Sequence, residues 1–215
     1  MSTPCVSAFK WVPPFAQGLV RDLRVRWALE EAGIGYESQL LDFEMSKQPA
    51  YLRQQPFGQV PAFSDGRVEM FESGAIVLHI ALDSPALMPG DEAGRARVMT
   101  WIFAALNSVE PAIGQLGDID LFHAGETWTV ERRPQVEAEV RKLLATLAGQ
   151  LDGRDYLESS FTAGDLMMVT VLRSLRHTSL VGEHPVLSAY QARCEARPAF
   201  QRALAAQLEP FEQAA

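Results

Sequence analysis

The stretch that decides the fold is QPFGQVPAF, residues 55–63. Its prolines and glycine favour a loop, and the apolar residues at its end begin a strand. A turn follows at residues 64–66, and a second strand is predicted over residues 68–71. ESGA, residues 72–75, then leads into a helix with one apolar face. This order predicts a β-hairpin that continues directly into a helix.

A further helix lies upstream, between two predicted strands. The first strand covers residues 6–10, and a Pro-containing loop separates it from a helix that we expect to begin near Gly18 and to stop at Gly33. A second strand is predicted over residues 36–42. Strand, helix and strand in this order predict a right-handed parallel crossover.

The second half of the chain is predicted to be helical. Residues 83–91 carry two prolines and a glycine and are interpreted as an inter-domain linker. The apolar residues between 136 and 151 follow helical periodicity. Thr162 and Asp165 have the spacing of a capping box, in which each side chain bonds the backbone of the other at a helix start.

Composition and charge exclude several functional classes. The 215 residues contain 19 Lys and Arg against 27 Asp and Glu, a formal net charge of −8. Nucleic-acid binding is therefore not expected, because neutralising phosphates needs a clustered excess of positive charge. A content of 47% hydrophobic and 21% charged residues is typical of a globular protein, and we expect no membrane partner. Residues 1–5 lack the features of an export signal, so a cytoplasmic location is expected.

Cofactor motifs are also missing from the sequence. Cys5 and Cys194 form neither a CxxC pair nor part of a metal-ligand cluster, and the four histidines show no metal-binding spacing. No glycine-rich phosphate loop follows a predicted strand. We therefore predict neither a metal nor a nucleotide cofactor.

The element order, PFGQVPAF, ESGAI, and a helical second half with FTAGD at residues 161–165 together resemble the cytosolic glutathione transferase family. Each motif is short, but their common order covers nearly the whole chain. The resemblance implies an α/β thioredoxin-like N-terminal domain of β-α-β-α-β-β-α order over residues 1–84, followed by an all-α C-terminal domain over residues 90–215. It also implies a homodimer that uses glutathione as co-substrate in detoxification, attacking a small electrophile with the glutathione thiolate.

Two dipeptides carry the glutathione-binding role that the resemblance implies. The Val60-Pro61 bond would be cis, so that the backbone of Val60 pairs with the cysteinyl backbone of glutathione like an added strand; an isolated X-Pro is more often a trans proline that begins an edge strand. Glu72 would pair with the α-ammonium group, and Ser73, at a helix start, would bind the α-carboxylate while capping its helix.

Two weaker candidates lie at the other end of the tripeptide. Lys47 and Gln59 would hold the glycyl carboxylate. A lone surface lysine is more often simply solvated.

The catalytic group is where the chain departs from the family. The family places a Tyr, Ser or Cys just after strand one, and residues 10–18 contain none. Ser7 is interpreted as a strand residue, although a shift in register would bring it closer. The remaining candidates are Lys10, Arg21 and the positive end of helix one, each of which lowers the pKa of a thiol. Arg21 and Arg24 are equally compatible with solvent-facing positions on an amphipathic helix.

The electrophile pocket is expected against the first helix of the C-terminal domain. Its candidate lining consists of large side chains after strand one and in that helix: Trp11, Trp101, Phe103, Leu106 and Asn107. Aromatic residues at such spacing are more often part of the core. Two alternatives stay open: a glutathione-dependent isomerase or reductase, and a non-catalytic glutathione-binding or scaffold protein on the same fold.

Overall fold

The computed structural model describes residues 2–213. Contacts between residues divide the chain into two compact units. One unit joins the residues up to Gly90 with those from Ala196 onward, and the other is Asp91–Glu195. The predicted boundaries placed all residues after 90 in the helical domain, whereas this grouping assigns the last helix to the first unit.

The first unit contains a four-stranded mixed sheet of order β2-β1-β3-β4. Its strands are β1 (Cys5–Phe9), β2 (Glu37–Leu41), β3 (Ala62–Ser64) and β4 (Glu69–Phe71). Strand β1 is parallel to β2 and antiparallel to β3, and β3 is antiparallel to β4. The predicted parallel crossover and hairpin are both confirmed.

The helices follow in chain order as α1 (Asp22–Ala32), α2 (Pro49–Leu52), α3 (Ser73–Leu82), α4 (Glu92–Phe103), α5 (Glu110–Leu121), α6 (Thr127–Gln150), α7 (Ala163–Leu172), α8 (Pro185–Glu195) and α9 (Pro198–Gln213). Helices α1 to α3 alternate with the strands as β-α-β-α-β-β-α, and α4 to α8 form the second unit. The predicted thioredoxin-like half and helical half are confirmed. None of the helices within residues 2–213 is long and apolar enough to cross a bilayer.

Helix α1 begins at Asp22, so the predicted start near Gly18 was wrong. Gly18 has a φ of 78°, in the left-handed region that does not continue a helix. Single turns precede the helix, with the Leu19 N–H donating to the Ala16 carbonyl at 2.9 Å. The end at Gly33 is confirmed, because its φ of 67° and its bond to the Glu30 carbonyl form a glycine cap.

Helix α1 is buried along most of its length because it packs against both α3 and α9. The Trp27 and Phe200 rings meet at 4.7 Å between centroids in an edge-to-face arrangement. The Arg197 guanidinium donates two hydrogen bonds to the Glu31 carboxylate, at 2.6 and 2.7 Å. These contacts explain why the last helix groups with the first unit.

The second unit contains a feature that the sequence pattern did not predict. Residues Ala104–Val109, between α4 and α5, are π-helical. Pro111 follows in the first turn of α5, and it has no N–H to donate back along the helix.

The predicted capping box is present at the start of α7, where Thr162 and Asp165 bond each other's backbone. It fixes the point at which this helix starts.

Candidate functional site

Sheet register brings the two predicted glutathione-binding dipeptides to the same edge. Ala62 is paired with Phe71 in the β3–β4 hairpin. Val60-Pro61 directly precedes Ala62 and Glu72-Ser73 directly follows Phe71, so both dipeptides leave the hairpin at one end. The antiparallel register of β1 with β3 places the carboxyl end of β1 at this edge as well. The loop after β1 therefore begins beside both dipeptides.

The segment before β3 is held by the packing of Val60 and by hydrogen bonds to the Gln55 side chain. The Val60-Pro61 peptide bond is cis, and Val60 is buried in a cluster with Leu41, Tyr51 and Ala62. The Gln55 side-chain oxygen accepts the backbone N–H groups of residues 57 and 59 at 2.7 and 3.3 Å. These bonds limit the freedom of the backbone that would face a tripeptide.

Glu72 has a backbone conformation that few non-glycine residues adopt. Its φ is 70°, and it stands as the residue before α3 without a side-chain cap hydrogen bond. Such strained positions cluster at ligand sites, because the surrounding structure must hold them there. The side chain of Glu72 is exposed, and its carbonyl accepts the Ile76 N–H at 2.9 Å.

Ser73 is the first residue of α3, and its hydroxyl meets a buried arginine. The Arg24 guanidinium donates to Ser73 Oγ at 3.3 Å. Arg24 is only 4% exposed, so the interpretation of this residue as a solvent-facing charge was wrong. The guanidinium and the N-terminal end of α3 together create a positive potential at Ser73. Glu72 contributes a negative charge beside it.

Sequence reasoning missed the role of Arg24, although a signal was present. Arg24 lies three and four residues before the apolar Trp27 and Ala28, and directly between the apolar Leu23 and Val25. A charged residue in an apolar helical stripe indicates either a paired buried charge or a ligand contact.

Lys47 and Gln59 lie close to the same segment. Lys47 is exposed, and its ammonium group donates to the Gly58 carbonyl at 3.1 Å. The Gln59 side chain is exposed, and the backbone carbonyl of Gln59 accepts a hydrogen bond from Tyr51 Oη at 2.6 Å. Both side chains are therefore accessible to a ligand.

The weak catalytic candidates are in three different environments. Ser7 is in the middle of β1 and buried, where its hydroxyl bonds Tyr51 and the Ala62 N–H. Lys10 follows β1 and forms an exposed ion pair with Asp42 at 3.0 Å. Arg21 is exposed at the N-cap of α1. The burial of Ser7 keeps its hydroxyl within the protein, whereas Lys10 and Arg21 reach the surface.

Comparisons with known proteins identify the family. The family described as "Glutathione S-transferase, N-terminal domain" matches residues 17–82. "Glutathione S-transferase 4" of Zea mays is 31% identical over 216 residues, which cover 93% of this chain and 92% of that protein. The chain belongs to the glutathione S-transferase family. A "Glutathione S-transferase" of Silene vulgaris is 30% identical over 203 residues, covering 86% of this chain and 92% of the relative.

Solved structures of glutathione transferases share the fold. One from Burkholderia graminis, described with two glutathione molecules bound per subunit, has a TM-score of 0.84 and 26% identity, covering 95% of this chain and 88% of that one. One from Pseudomonas putida, described with one glutathione disulfide per subunit, has a TM-score of 0.82 and 25% identity, covering 94% and 91%. This family member is accordingly a glutathione transferase-like enzyme.

The candidate electrophile residues of this transferase fall in both units. Trp11 is 40% exposed in the loop after β1. Trp101 and Phe103 are in α4, and Leu106 and Asn107 are in the π-helical turn. A Cβ added to Gly164 would meet Trp101 Cβ at 2.8 Å, so Trp101 packs against α7. Phe103 and Asn107 are exposed.

Across residues 2–213, no three His, Cys, Asp or Glu side chains are grouped so that they could hold an ion.

Proposed function

We propose that this chain binds glutathione at the edge formed by Val60-Pro61 and Glu72-Ser73 and directs its thiolate at a small electrophile. The observation that carries the proposal is the pairing of opposite charges at the start of α3, where Glu72 stands beside the Arg24–Ser73 contact. The γ-glutamyl end of glutathione carries an ammonium and a carboxylate on one carbon. A site with one carboxylate and one positive helix end complements both groups.

The proposed contacts of the cysteinyl and glycyl residues of glutathione follow from this placement of the γ-glutamyl end. The backbone of Val60 would pair with the cysteinyl residue, as an added strand pairs with a sheet edge. Lys47 and Gln59 are exposed beside this segment and would receive the glycyl carboxylate. The cysteinyl sulfur would then lie towards the loop after β1.

In the proposed reaction the thiol loses its proton to solvent water, the sulfur forms a bond to the electrophilic carbon, and the leaving group departs with its electron pair. We assign thiolate stabilisation to Arg21 and the positive end of α1. Asp22 sits in the first turn of α1, and its carboxylate opposes part of the helix dipole there. Arg21 is therefore the stronger candidate, with Trp11, Trp101, Phe103, Leu106 and Asn107 as the proposed electrophile contacts.

Calorimetry tests the binding half of the proposal. Ser73→Ala and Glu72→Gln should each raise the glutathione Kd about tenfold, because each removes one charged or polar contact. Thr146→Ala is the control, since its exposed hydroxyl bonds only its own helix backbone at Lys142. Wild-type affinity in both site variants would show that the site is elsewhere, and a wild-type protein without glutathione affinity would refute the function.

The absorbance of bound glutathione thiolate tests the chemical half. A transferase should hold the thiol pKa of bound glutathione below its free value of about 8.5, and Arg21→Gln should raise it. An unshifted pKa with intact binding would favour the non-catalytic binding protein. Cys5 and Cys194 are not joined by a disulfide, which fits the cytosolic location that we propose together with a detoxification role.

A glutathione-dependent disulfide reductase is the second candidate. It is favoured by the two solved structures that are described with two glutathiones or with glutathione disulfide. A glutathione thiolate would attack one sulfur of a disulfide, and the other sulfur would leave as a thiolate and take a proton. A second glutathione thiolate would then attack the glutathione sulfur of this mixed disulfide, so that glutathione disulfide forms and the remaining substrate sulfur leaves as a thiolate and takes a proton. Faster turnover of hydroxyethyl disulfide than of chlorodinitrobenzene would select this activity.

We also propose that the chain forms a homodimer through the loop that precedes β3. Phe57 is 66% exposed, and its ring meets Phe71 at 6.0 Å between centroids. Aromatic residues are enriched at protein–protein interfaces. Phe57→Ala should shift the sedimentation coefficient towards that of the monomer. Phe122 of the second unit is similarly exposed, at 64%, and Phe122→Ala is the control that should leave sedimentation unchanged. A monomeric wild type would refute the dimer.

A further inference from the structure

Two buried hydroxyl groups lie beneath the proposed glutathione edge. Ser7 in β1 is 1% exposed and Tyr51 in α2 is 3% exposed. Ser7 Oγ and Tyr51 Oη are 2.7 Å apart. Tyr51 Oη is also 2.6 Å from the backbone carbonyl oxygen of Gln59, and Ser7 Oγ is 2.6 Å from the backbone nitrogen of Ala62. The four groups form one continuous chain of hydrogen bonds.

The direction of every bond in this chain is fixed by its ends. The Gln59 carbonyl can only accept, so the single Tyr51 hydroxyl proton is donated to it. The Ala62 N–H can only donate, so it donates to Ser7 Oγ. The remaining proton, on Ser7, must then be donated to Tyr51 Oη. Each hydroxyl therefore donates one bond and accepts one, which satisfies both groups away from water.

The chain of bonds ends on the two residues that flank the Val60-Pro61 dipeptide. Gln59 directly precedes the dipeptide and Ala62 directly follows it. Ser7 and Tyr51 thus connect β1 and α2 to the backbone on both sides of Val60. The pairing of β1 with β3 ends at Val6 and Phe63, and Ser7 Oγ accepts the next N–H along β3, that of Ala62.

We propose that Ser7 and Tyr51 are positioning residues for glutathione, and this inference rests on the proposed function. They hold the Val60 N–H and C=O in the orientation that an extended cysteinyl backbone requires. Ser7 thereby acts through Tyr51 and Val60, without contact to the sulfur. This assignment explains a serine near the expected catalytic position whose hydroxyl is turned into the protein.

Tyr51→Phe tests the proposal with little change in shape. Loss of the hydroxyl frees the Gln59 carbonyl and leaves Ser7 without its acceptor, so the glutathione Kd should rise about tenfold, equivalent to about 1.4 kcal/mol. In turnover of chlorodinitrobenzene, the KM for glutathione should rise while the KM for chlorodinitrobenzene stays unchanged. Ser7→Ala should give the same split, because it frees the Ala62 N–H.

A matched control separates positioning from general stability. Tyr190 in α8 is 1% exposed and donates its hydroxyl to Asp165 Oδ1 at 2.9 Å, within the second unit. Tyr190→Phe also removes a buried hydroxyl hydrogen bond and should lower the Tm. It should leave the glutathione Kd at the wild-type value.

The double variant gives a further readout. Because Ser7 and Tyr51 belong to one chain of bonds, the effects of Ser7→Ala and Tyr51→Phe on glutathione affinity should not add. Additive effects on glutathione affinity would contradict the proposal that the two hydroxyl groups act through one chain of hydrogen bonds.

The outcomes distinguish this inference from the function on which it rests. If Ser73→Ala weakens glutathione binding but Tyr51→Phe and Ser7→Ala bind glutathione as the wild type does, the positioning role is wrong and the binding site stands. If the wild type does not bind glutathione, both are wrong. If Tyr51→Phe does not fold, Ser7→Ala alone tests the proposal, through its glutathione Kd and through a KM that rises for glutathione but not for chlorodinitrobenzene.

Discussion

The buried ion pair of α1 allows a quantitative prediction about stability and pH. Asp22 and Arg26 are 1% and 2% exposed, and Arg26 Nε lies 2.7 Å from Asp22 Oδ2. Gln207 of α9 also donates to Asp22 Oδ1, at 2.6 Å. Burial raises the pKa of Asp22, and the charge of Arg26 opposes that rise. The carboxylate therefore depends on Arg26 to remain ionised.

Arg26→Met should destabilise the protein by about 3 kcal/mol near neutral pH. Removing one partner of a buried pair typically costs about 3–5 kcal/mol, because a charge is left without compensation. The lower end applies here, since Gln207 Nε2 still donates to the carboxylate. Methionine retains much of the arginine stem, so the packing changes little.

Acid should reduce the effect of this substitution. In Arg26→Met the pKa of Asp22 lies higher still, because the opposing charge is gone. The native state then binds a proton more tightly than the unfolded state does, so native stability rises as the pH falls through the raised pKa. The difference from wild type should be largest at about pH 8 and smaller at about pH 5.

Urea unfolding at both pH values measures these differences. The control is Asp22→Asn combined with Arg26→Met, which removes both charges and keeps an acceptor for Gln207. This double variant should recover most of the lost stability and should show little dependence on pH. An Arg26→Met variant with the same loss of stability at both pH values would refute the reasoning.

Substitutions at three further positions test separate parts of the fold by urea unfolding. Gly58→Ala should lower the free energy of unfolding by at least about 1 kcal/mol and weaken glutathione binding. The reason is that Gly58 has a φ of 63° and an added Cβ would meet the Ser46 carbonyl oxygen at 2.9 Å. A variant as stable as the wild type would contradict this prediction. Thr162→Ala should cost about 1 kcal/mol through loss of the helix cap, and Thr162→Ser should restore it. The hydrogen bond from His79 holds the pKa of Asp65 well below its usual range. The stabilisation that ionised Asp65 gives the folded state is therefore complete above the unfolded pKa of about 3.9 and is lost as the pH falls towards the folded pKa. Asp65→Asn should therefore make the free energy of unfolding depend less on pH below about pH 4.

Local sequence signals were sufficient where one or two neighbouring residues decide the backbone. Gly33 ends α1 because glycine accepts a positive φ, and Thr162 with Asp165 caps α7 within four residues of chain. The hairpin and the start of α3 followed equally from the stretch around residues 55–75. These elements need no information about distant parts of the chain.

Distant partners account for the features that the sequence did not predict. Ser7 and Tyr51 are 44 residues apart, and Arg24 reaches a serine 49 residues away. Gln207 meets the first turn of α1 across 185 residues. A periodic pattern shows that a helix face is buried, but it does not show which polar group on another element will meet it. The interpretation of Arg24 was wrong for this reason.

The packing of α9 on α1 also affects how the protein is made. Glu31 and Arg197 are separated by 166 residues along the chain. At about 5–20 residues per second, a ribosome needs roughly ten to thirty seconds to synthesise that interval. Throughout this time one flank of α1, with Trp27, lacks the helix that covers it. The unit that contains α1 can thus be completed only after α9 has been synthesised. A chain that terminates before α9 would expose an apolar surface to chaperones and proteases.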